Sequence, residues 1–366
     1  MDKYLKLTHE LFKNLAVIPA PSGQEDLRAE FCLKKLKQFG FDRAYIDQAK
    51  NVVVEVLAPN SNEWVVFEAH TDVVFPDLTP LPLTEDDENY YNPGCGDDTI
   101  CLCILMSALI RLKDLNKKPK INILVVFNSC EEGLGNLKGT KEIMQRYGKS
   151  VKEFITFDGR YSNLVNVSVG SHRYKVTVKT SGGHSYSSFG ATSAMQVLAK
   201  GITDIYKIPL PKNGKTTYNV GVVSAGTSVN TIPQSAEMLC EYRSDVHENL
   251  AYMKERFFEI FDDMKKFATV QIEIVGERPS MKDVDMANQD KLTSLCKHVQ
   301  EVVTGLDVKL CSGSTDCNIP HSLGIPAVCV GVYDGGGAHT REEWVQKSSI
   351  AKGLQIANIL LENYCE

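Results

Sequence analysis

The sequence predicts an α/β protein: a mostly parallel α/β/α domain into which a smaller α+β domain of βαββαβ order is inserted. Three observations predict it. Helical and strand periodicities alternate up to about residue 165, a half-exposed pattern replaces them over about 166–285, and the first alternation resumes over 286–366. The expected domains are therefore residues 1–165 with 286–366, and an insertion of 166–285.

Taken in order, Tyr4 to Asn14 and Gln24 to Phe39 read as helices, and Asn51 to Leu57 as a strand. Trp64 to Phe67 is an apolar strand that leads into His70. Thr99 to Leu112 is an apolar-rich helix opened by Asp97-Asp98, where a capping acid is expected. The strand Ile121 to Phe127, the helix Lys138 to Tyr147 and the strand Phe154 to Phe157 extend the βαβ series. Tyr174, Val176 and Val178 then alternate with polar residues, which is the mark of an antiparallel sheet with one wet face. A helix over Thr192 to Tyr206, strands near Thr217 to Val223 and Ala236 to Arg243, a helix over Leu250 to Phe267 and a strand Val270 to Val275 complete the insertion. Gln289 to Val303, Lys309 to Cys311, Ala327 to Val332 and a last helix over Glu343 to Tyr364 return to the first pattern.

A chain of 366 residues with 43% apolar and 23% charged residues is ordinary for a globular protein of two domains. No run approaches the ~20 apolar residues of a membrane span, and the N-terminus has no apolar core of signal-peptide length, so a cytoplasmic location is expected. Eleven cysteines, odd in number and without a CxxC pair, read as reduced thiols. A formal charge of −6 and the lack of a Lys/Arg-rich block argue against a nucleic-acid surface. Nothing points to a membrane partner.

The chemistry gathers where strands run out. The apolar runs Trp64–Phe67, Ile121–Phe127, Phe154–Phe157 and Ala327–Val332 are each followed by an acid or a histidine, and ligands of open parallel sheets bind beyond the carboxyl ends of strands. In His70-x-Asp72 both side chains leave one face of an extended segment, so Asp72 can orient a metal-binding imidazole. Asp97-Asp98 after Gly94-Cys-Gly96 serves equally as a ligand pair or a helix cap. The adjacent carboxylates Glu131-Glu132 repel each other unless a cation or water separates them. Asp158 and His339 are unremarked loop residues singly, yet two histidines with three or more acids at strand ends make a two-metal ligand set. The donor types suit zinc, with manganese or cobalt as substitutes, while the histidines disfavour calcium. Cys95 and Cys130 flank the set and read as packing residues. Gly335-Gly-Gly lacks the Lys and Ser/Thr of a phosphate loop and instead gives freedom to place His339.

These residues, in order and approximate spacing, resemble the metal motifs of the M20 family of metallopeptidases. The resemblance covers essentially the whole chain. It extends to Ser181-Gly-Gly-His-Ser185 with Gly190-Ala-Thr-Ser-Ala194, to Gly313-Ser-Thr-Asp316 with Gly324-Ile-Pro326, and to His339-Thr-Arg-Glu-Glu343. It implies that Asp97 bridges two divalent metals, with His70 and Asp158 on one and Glu132 and His339 on the other. Asp72 would orient His70, and Glu131 would be the general base. His184, in an inserted lid and dimerisation domain, would reach a partner's site to stabilise the oxyanion, which implies a homodimer. Asn230 and Arg243 match residues that hold a substrate carboxylate, although Arg243 also reads as a strand-end ion-pair residue. Thr99, where many members have a lysine, and Cys130 before the twin glutamates depart from the common pattern. The activity implied is that of a metal-dependent exopeptidase acting on short peptides. The alternatives are a deacylase of N-acyl amino acids and a catalytically silent metal-binding relative.

Overall fold

The computed structural model describes residues 2–366. The chain divides into two compact units, one built from residues up to Ser168 together with Lys282–Glu366, the other from Val169–Met281.

The first unit opens with α1 (Asp2–Leu15) and α2 (Asp26–Gln38), then β1 (Tyr45–Ile46), β2 (Val52–Val56) and β3 (Trp64–His70). Next come α3 (Cys101–Asp114), β4 (Asn122–Asn128), α4 (Lys138–Tyr147), β5 (Val151–Phe157) and β6 (Asn163–Ser168). After the second unit the chain returns with α7 (Met286–Thr304), β11 (Lys309–Gly313), β12 (Ala327–Val330) and α8 (Ser349–Asn363). One eight-stranded sheet results, in the order β1-β2-β4-β3-β5-β12-β6-β11. Its centre, β4-β3-β5-β12, is parallel throughout. β4 is buried at every residue and β3 at all but the first, as expected of parallel strands covered on both faces. α3 lies in the core, which is why eleven of its fourteen residues are buried and no polar stripe marks it. Asp285 caps α7 by accepting the Ala287 N–H, and Gly305, at φ 74°, ends it.

The second unit contains β7 (Gly170–Lys179), α5 (Ala194–Ile205), β8 (Thr216–Ala225), β9 (Ser235–Ser244), α6 (His247–Lys265) and β10 (Thr269–Arg278). Its four strands form an antiparallel sheet in the order β8-β9-β7-β10. Tyr174, Val176 and Val178 pack with Met238, Cys240, Tyr242 and the α6 residues Phe257 and Phe261 into a core separate from that of the first unit.

Two local expectations differ from the structure. The last helix begins at Ser349, because Trp344–Gln346 is a strand paired with Asn89–Tyr91, a contact between segments some 250 positions apart. Asp97 and Asp98 do not cap α3, which starts at Cys101; both have non-helical backbone angles within a distorted turn, Cys95–Ile100, and the peptide between them is cis.

Candidate metal centre

Neighbouring parallel strands deliver the side chains. β3 ends on His70, β4 ends at Asn128 just before Glu131-Glu132, β5 ends at Phe157 before Asp158, and the chain beyond β12 leads to His339. His70 and Asn128 are direct partners in the β3–β4 ladder, so the segments after β4 leave the sheet beside the imidazole. His339 adopts φ 64°, a left-handed conformation that turns its ring back toward Asp97.

Asp97 stands between the two imidazoles. Its Oδ1 lies 3.0 Å from His70 Nε2 and its Oδ2 3.0 Å from His339 Nε2. Glu132 Oε1 is 3.2 Å from the same His339 nitrogen. Donor atoms within 4.8 Å of one another form three sets: His70, Asp97 and Asp158; His70, Glu131 and Glu132; and Asp97, Glu132 and His339. The first and third sets share Asp97, one carboxylate oxygen facing each.

Asp72 is fully buried and holds several groups at once. Its Oδ1 accepts the Glu131 N–H at 3.0 Å, and its Oδ2 accepts the Glu132 N–H at 2.9 Å and the Ser22 hydroxyl at 2.6 Å. The His70 Nδ1 faces the Asp72 backbone carbonyl at 3.0 Å, with the carboxylate at 3.4 Å. Asp72 thus bonds the twin-glutamate segment through its carboxylate and meets the imidazole through its backbone carbonyl. Asp98 accepts the His70 backbone N–H at 2.9 Å.

The electrostatics favour positive charge. Burial opposes a charged His70, but Asp98, Asp72 and Asp97 outweigh it and raise its pKa well above the ordinary range. Contacts with Asp97 and Glu132 push His339 up to about 11. Burial would raise the Asp97 carboxyl, yet hydrogen bonds from His339 and His70 hold it below the usual carboxylate range. Burial likewise opposes ionisation of Asp72, and its bonds to His70 and Ser22 and from the Glu132 N–H lower it nonetheless. Burial, then the Asp97 charge, lift Asp158 to about 7 and raise Glu132.

Two observations test whether cations fit. Five acids, Asp97, Asp98, Glu131, Glu132 and Asp158, gather around two imidazoles, an excess of negative charge in a buried place that divalent cations would neutralise. The buried Glu132 Oε1 meets His339 only as an ion-pair contact and accepts no hydrogen bond, so an acceptor there awaits a partner. The nitrogen and oxygen donors suit zinc, manganese or cobalt. Thiolates are not part of the set: burial raises both the Cys95 and Cys130 thiols, the latter to about 12, and Cys130 Sγ donates to Glu25 Oε1 at 3.3 Å.

Sequence reasoning missed the groups behind this layer. Glu343, only 1% exposed, accepts the backbone N–H groups of Gly94, Gly96 and Asp97 at 2.6, 3.0 and 2.9 Å. It thus ties the Asp97 turn to the His339 segment four residues upstream of itself. Burial and the Asp97 charge push its carboxyl up to about 8. A Cβ on Gly96 would lie 2.4 Å from Tyr333 Oη and 2.8 Å from Glu343 Oε1, so only glycine lets the turn approach this closely. Arg28, wholly buried, donates to the carbonyls of Ile18 and Thr71 and to Thr99 Oγ1, which in turn donates to the Gly94 carbonyl. Thr99 thereby fastens the same turn. Glu343 was visible as an acid four residues after His339; no periodicity signals Arg28.

The remaining sequence candidates lie in the second unit. Gly183–His184 pairs antiparallel with Thr231–Ile232, and the Ser185 N–H donates to the Asn230 carbonyl at 2.9 Å, so His184 and Asn230 are neighbours. The His184 Nδ1 accepts from the Tyr186 N–H, while the Asn230 Oδ1 accepts from Ser228 Oγ. Arg243 is not with them. It sits near the far end of β9, bonded through Nε and Nη2 to both oxygens of Glu241 at 2.8 and 3.0 Å.

Fold and geometry together define the class: an α/β protein with a buried histidine, His70, an exposed one, His339, and carboxylates clustered so that they could hold metal ions. Residues 66–363 match the model of peptidase family M20/M25/M40, and the chain belongs to that family; it is a hydrolytic enzyme. The succinyl-diaminopimelate desuccinylase of Corynebacterium glutamicum is 24% identical over 349 residues, spanning 91% of this chain and 90% of its own. Among solved structures, aminopeptidase PepT from Bacillus cereus superimposes with a TM-score of 0.77 at 22% identity, covering 98% of each chain. The Bacillus subtilis YXEP protein, a dinuclear metal binding peptidase from the M20 family, superimposes with a TM-score of 0.70 at 14% identity over 99% of each.

Proposed function

We propose that the chain is a metal-dependent exopeptidase that hydrolyses the amide bond of short peptides. The observation that carries this reading is the Asp97 carboxylate, with one oxygen beside His70 and the other beside His339. His70, Asp97 and Asp158 would hold one divalent cation and Asp97, Glu132 and His339 a second; the imidazole and carboxylate donors suit zinc, with cobalt or manganese as substitutes. Bound there, the cations supply Lewis-acid polarisation of the scissile carbonyl. Glu131, its backbone held by Asp72, takes a proton from the attacking water and passes it to the amine nitrogen as the C–N bond breaks. A second reading, deacylation of an N-acyl amino acid, uses the same groups and is favoured by the similarity to a desuccinylase over nine-tenths of the chain.

His184 and Asn230 are assigned to oxyanion and substrate contacts, and Arg243 to a substrate carboxylate. Eight strand positions separate Ser235, beside the His184 loop, from Arg243, roughly 25 Å at strand rise. No dipeptide spans that length, so the two ends of β9 serve different sites, as in a homodimer in which His184 acts on the partner. The edge strand β8, with Val222 and Val223 half exposed, and the exposed Tyr186 and Phe189 are surfaces such a dimer would cover. Eleven cysteines, none in a disulfide, suit the reducing cytoplasm. Among the described residues no helix is long and apolar enough to cross a membrane.

The test is elemental analysis of protein purified without chelator, paired with a panel of dipeptides, tripeptides and N-acyl amino acids. About two metals per chain with peptide cleavage supports the exopeptidase. Cleavage of acyl substrates alone moves the assignment to a deacylase. No hydrolysis after zinc, cobalt or manganese is restored refutes both.

A further inference from the structure

Glu25 is a buried carboxylate that belongs to none of the metal-ligand sets. It directly precedes α2, yet its side chain caps no N–H of that helix. It turns instead to the segment before the twin glutamates. Its Oε1 accepts the Gly23 N–H at 2.6 Å, the Cys130 N–H at 3.2 Å and the Cys130 thiol at 3.3 Å. Its Oε2 meets no donor among the described residues.

Cys130 is where the chain needs such an anchor. Its φ of 59° is left-handed, a conformation that costs any residue with a Cβ and persists only where surrounding contacts dictate it. Those contacts come from two sides. The Cys130 carbonyl accepts the Leu137 N–H at 2.9 Å, which closes the loop 130–137, and a Cβ on Gly135 would lie 2.7 Å from the Cys130 Cα, so the loop folds tightly back on it. The Cys130 N–H and thiol go to Glu25. Burial, then the Glu25 and Asp72 charges, push the thiol up to about 12, so it stays protonated and donates.

Three consecutive N–H groups therefore meet two buried carboxylates, that of Cys130 on Glu25 and those of Glu131 and Glu132 on Asp72. One turn, 21–25, reaches both acids, since the Ser22 hydroxyl donates to Asp72 Oδ2. That turn is fixed by the Gln24 N–H on the Pro21 carbonyl at 2.8 Å and by a bridge between Pro21 and Val73, the residue after Asp72.

We propose that Glu25 is a positioning residue for the general base: by holding Cys130 in its left-handed turn, it sets where the next residue, Glu131, presents its carboxylate. The inference rests on the reading of Glu131 as the group that takes the proton. Relaxation of Cys130 toward an ordinary φ would redirect the chain at the residue before the base, and a displacement of ~1 Å costs a catalytic group about a hundredfold. Asp72 binds the N–H groups beyond the turn and leaves the turn's own angle to Glu25.

The test separates position from stability. Glu25→Met keeps the volume and removes the acceptor, and Glu25→Ala removes both. Glu25→Gln keeps an oxygen for the three donors, while its NH2 takes the place of the unpartnered Oε2. The variants are assayed metal-loaded, below their melting temperatures, on whichever peptide or N-acyl amino acid the parent hydrolyses. Glu25→Met and Glu25→Ala are expected to lower kcat at least about tenfold with KM and metal content as in the parent, and Glu25→Gln to stay within about threefold. Hydrogen exchange, read by mass spectrometry on the peptide spanning 128–137, is expected to quicken in the first two variants and not in the third. Cys130→Gly supplies a residue that takes the left-handed turn unaided, so in that background Glu25→Met is expected to cost less than about threefold. A folded Glu25→Met or Glu25→Ala chain with the parent's kcat overturns the proposal. So does a loss in Glu25→Gln as deep as in Glu25→Met, or an equal loss with and without Cys130→Gly. Faster exchange on loss of Glu25, in a chain that hydrolyses no amide, supports the clamp on the turn and sinks only the hydrolase reading.

Discussion

Replacing Asp72 by Asn tests how the site holds its glutamates. The substitution is isosteric, so no cavity forms and only donors and charge change. The new amide has one oxygen. Placed where Oδ2 was, it keeps Ser22 and the Glu132 N–H, but the NH2 group then meets the Glu131 N–H, 3.0 Å away, donor to donor. The opposite rotamer loses two bonds instead of one. At least one charge-assisted bond of about 1.5–3 kcal/mol disappears, and the others weaken to neutral strength. The Glu131 backbone must move to relieve the clash, and displacement of a catalytic group by ~1 Å costs about a hundredfold in rate. The lost charge beside His70 Nδ1 lowers metal affinity, for which removal of an orienting group costs about 10- to 100-fold. Asp72→Asn is therefore expected to lower kcat about a hundredfold at saturating metal, and metal affinity about tenfold in chelator competition. The Asp72 pKa is lowered by folding, so its contribution to stability is present above the ordinary aspartate pKa and lost as the pH falls through the folded value. The variant lacks that contribution to acid unfolding. Rate and metal affinity both within about twofold of the parent would refute the view that this carboxylate fixes the base and the imidazole.

Glu131→Gln is expected to lower turnover at least about a hundredfold while elemental analysis finds the parent's metal content, since the glutamate moves a proton and is not assigned as a ligand. Glu343→Ala leaves three backbone N–H groups without their acceptor, at about 1–3 kcal/mol each if water does not replace it; chelator competition should show weaker metal binding, with much of the rate regained at high metal. His321 is buried, with its ring between Ser168 Oγ at 2.7 Å and Gln289 Oε1 at 3.3 Å, and burial lowers its pKa to about 4. Its neutral form is the folded one, so stability attributable to it is complete above the ordinary histidine pKa of about 6.5 and declines as the pH falls toward 4, by roughly 3 kcal/mol. Denaturant titrations of the parent and of His321→Gln across that range should converge as the pH falls; a constant difference between them rules this histidine out as the cause.

The strands that carry the ligands were legible because parallel strands buried on both faces must be continuously apolar, and the polar residue that ends each run stands out. His70, Glu131-Glu132 and Asp158 were found that way, and the structure brings them together with Asp97 and His339. What was not legible depends on pairing between distant segments. Trp344–Gln346 looks like the start of a helix until Asn89–Tyr91 is available to pair with it. β6 was passed over because Asn163, Asn166 and Ser168 interrupt its apolar residues, and only β12 and β11 on either side make it a strand. Asp98 read as a cap because a strand-distant backbone N–H, that of His70, is invisible to local patterns. Arg28 on α2 belongs to a helix with a weak apolar stripe, and its carbonyl partners lie 10 and 43 positions away.

The second unit begins and ends on adjacent strands: Ser171 of β7 is the ladder partner of Arg278 of β10, and a Cβ on Gly170 would lie 2.8 Å from the Ser280 nitrogen. A segment of more than a hundred residues therefore enters and leaves through a gap no wider than an ordinary turn. For the folding of the first unit, such a segment is a long loop whose closure is already made by its own sheet, so its length adds little entropic cost. Lineages are then free to lengthen, shorten or replace the excursion without altering the strand order that carries the metal ligands. Splicing Ser168 to Lys282 with a few glycines should give a chain that still builds the eight-stranded sheet.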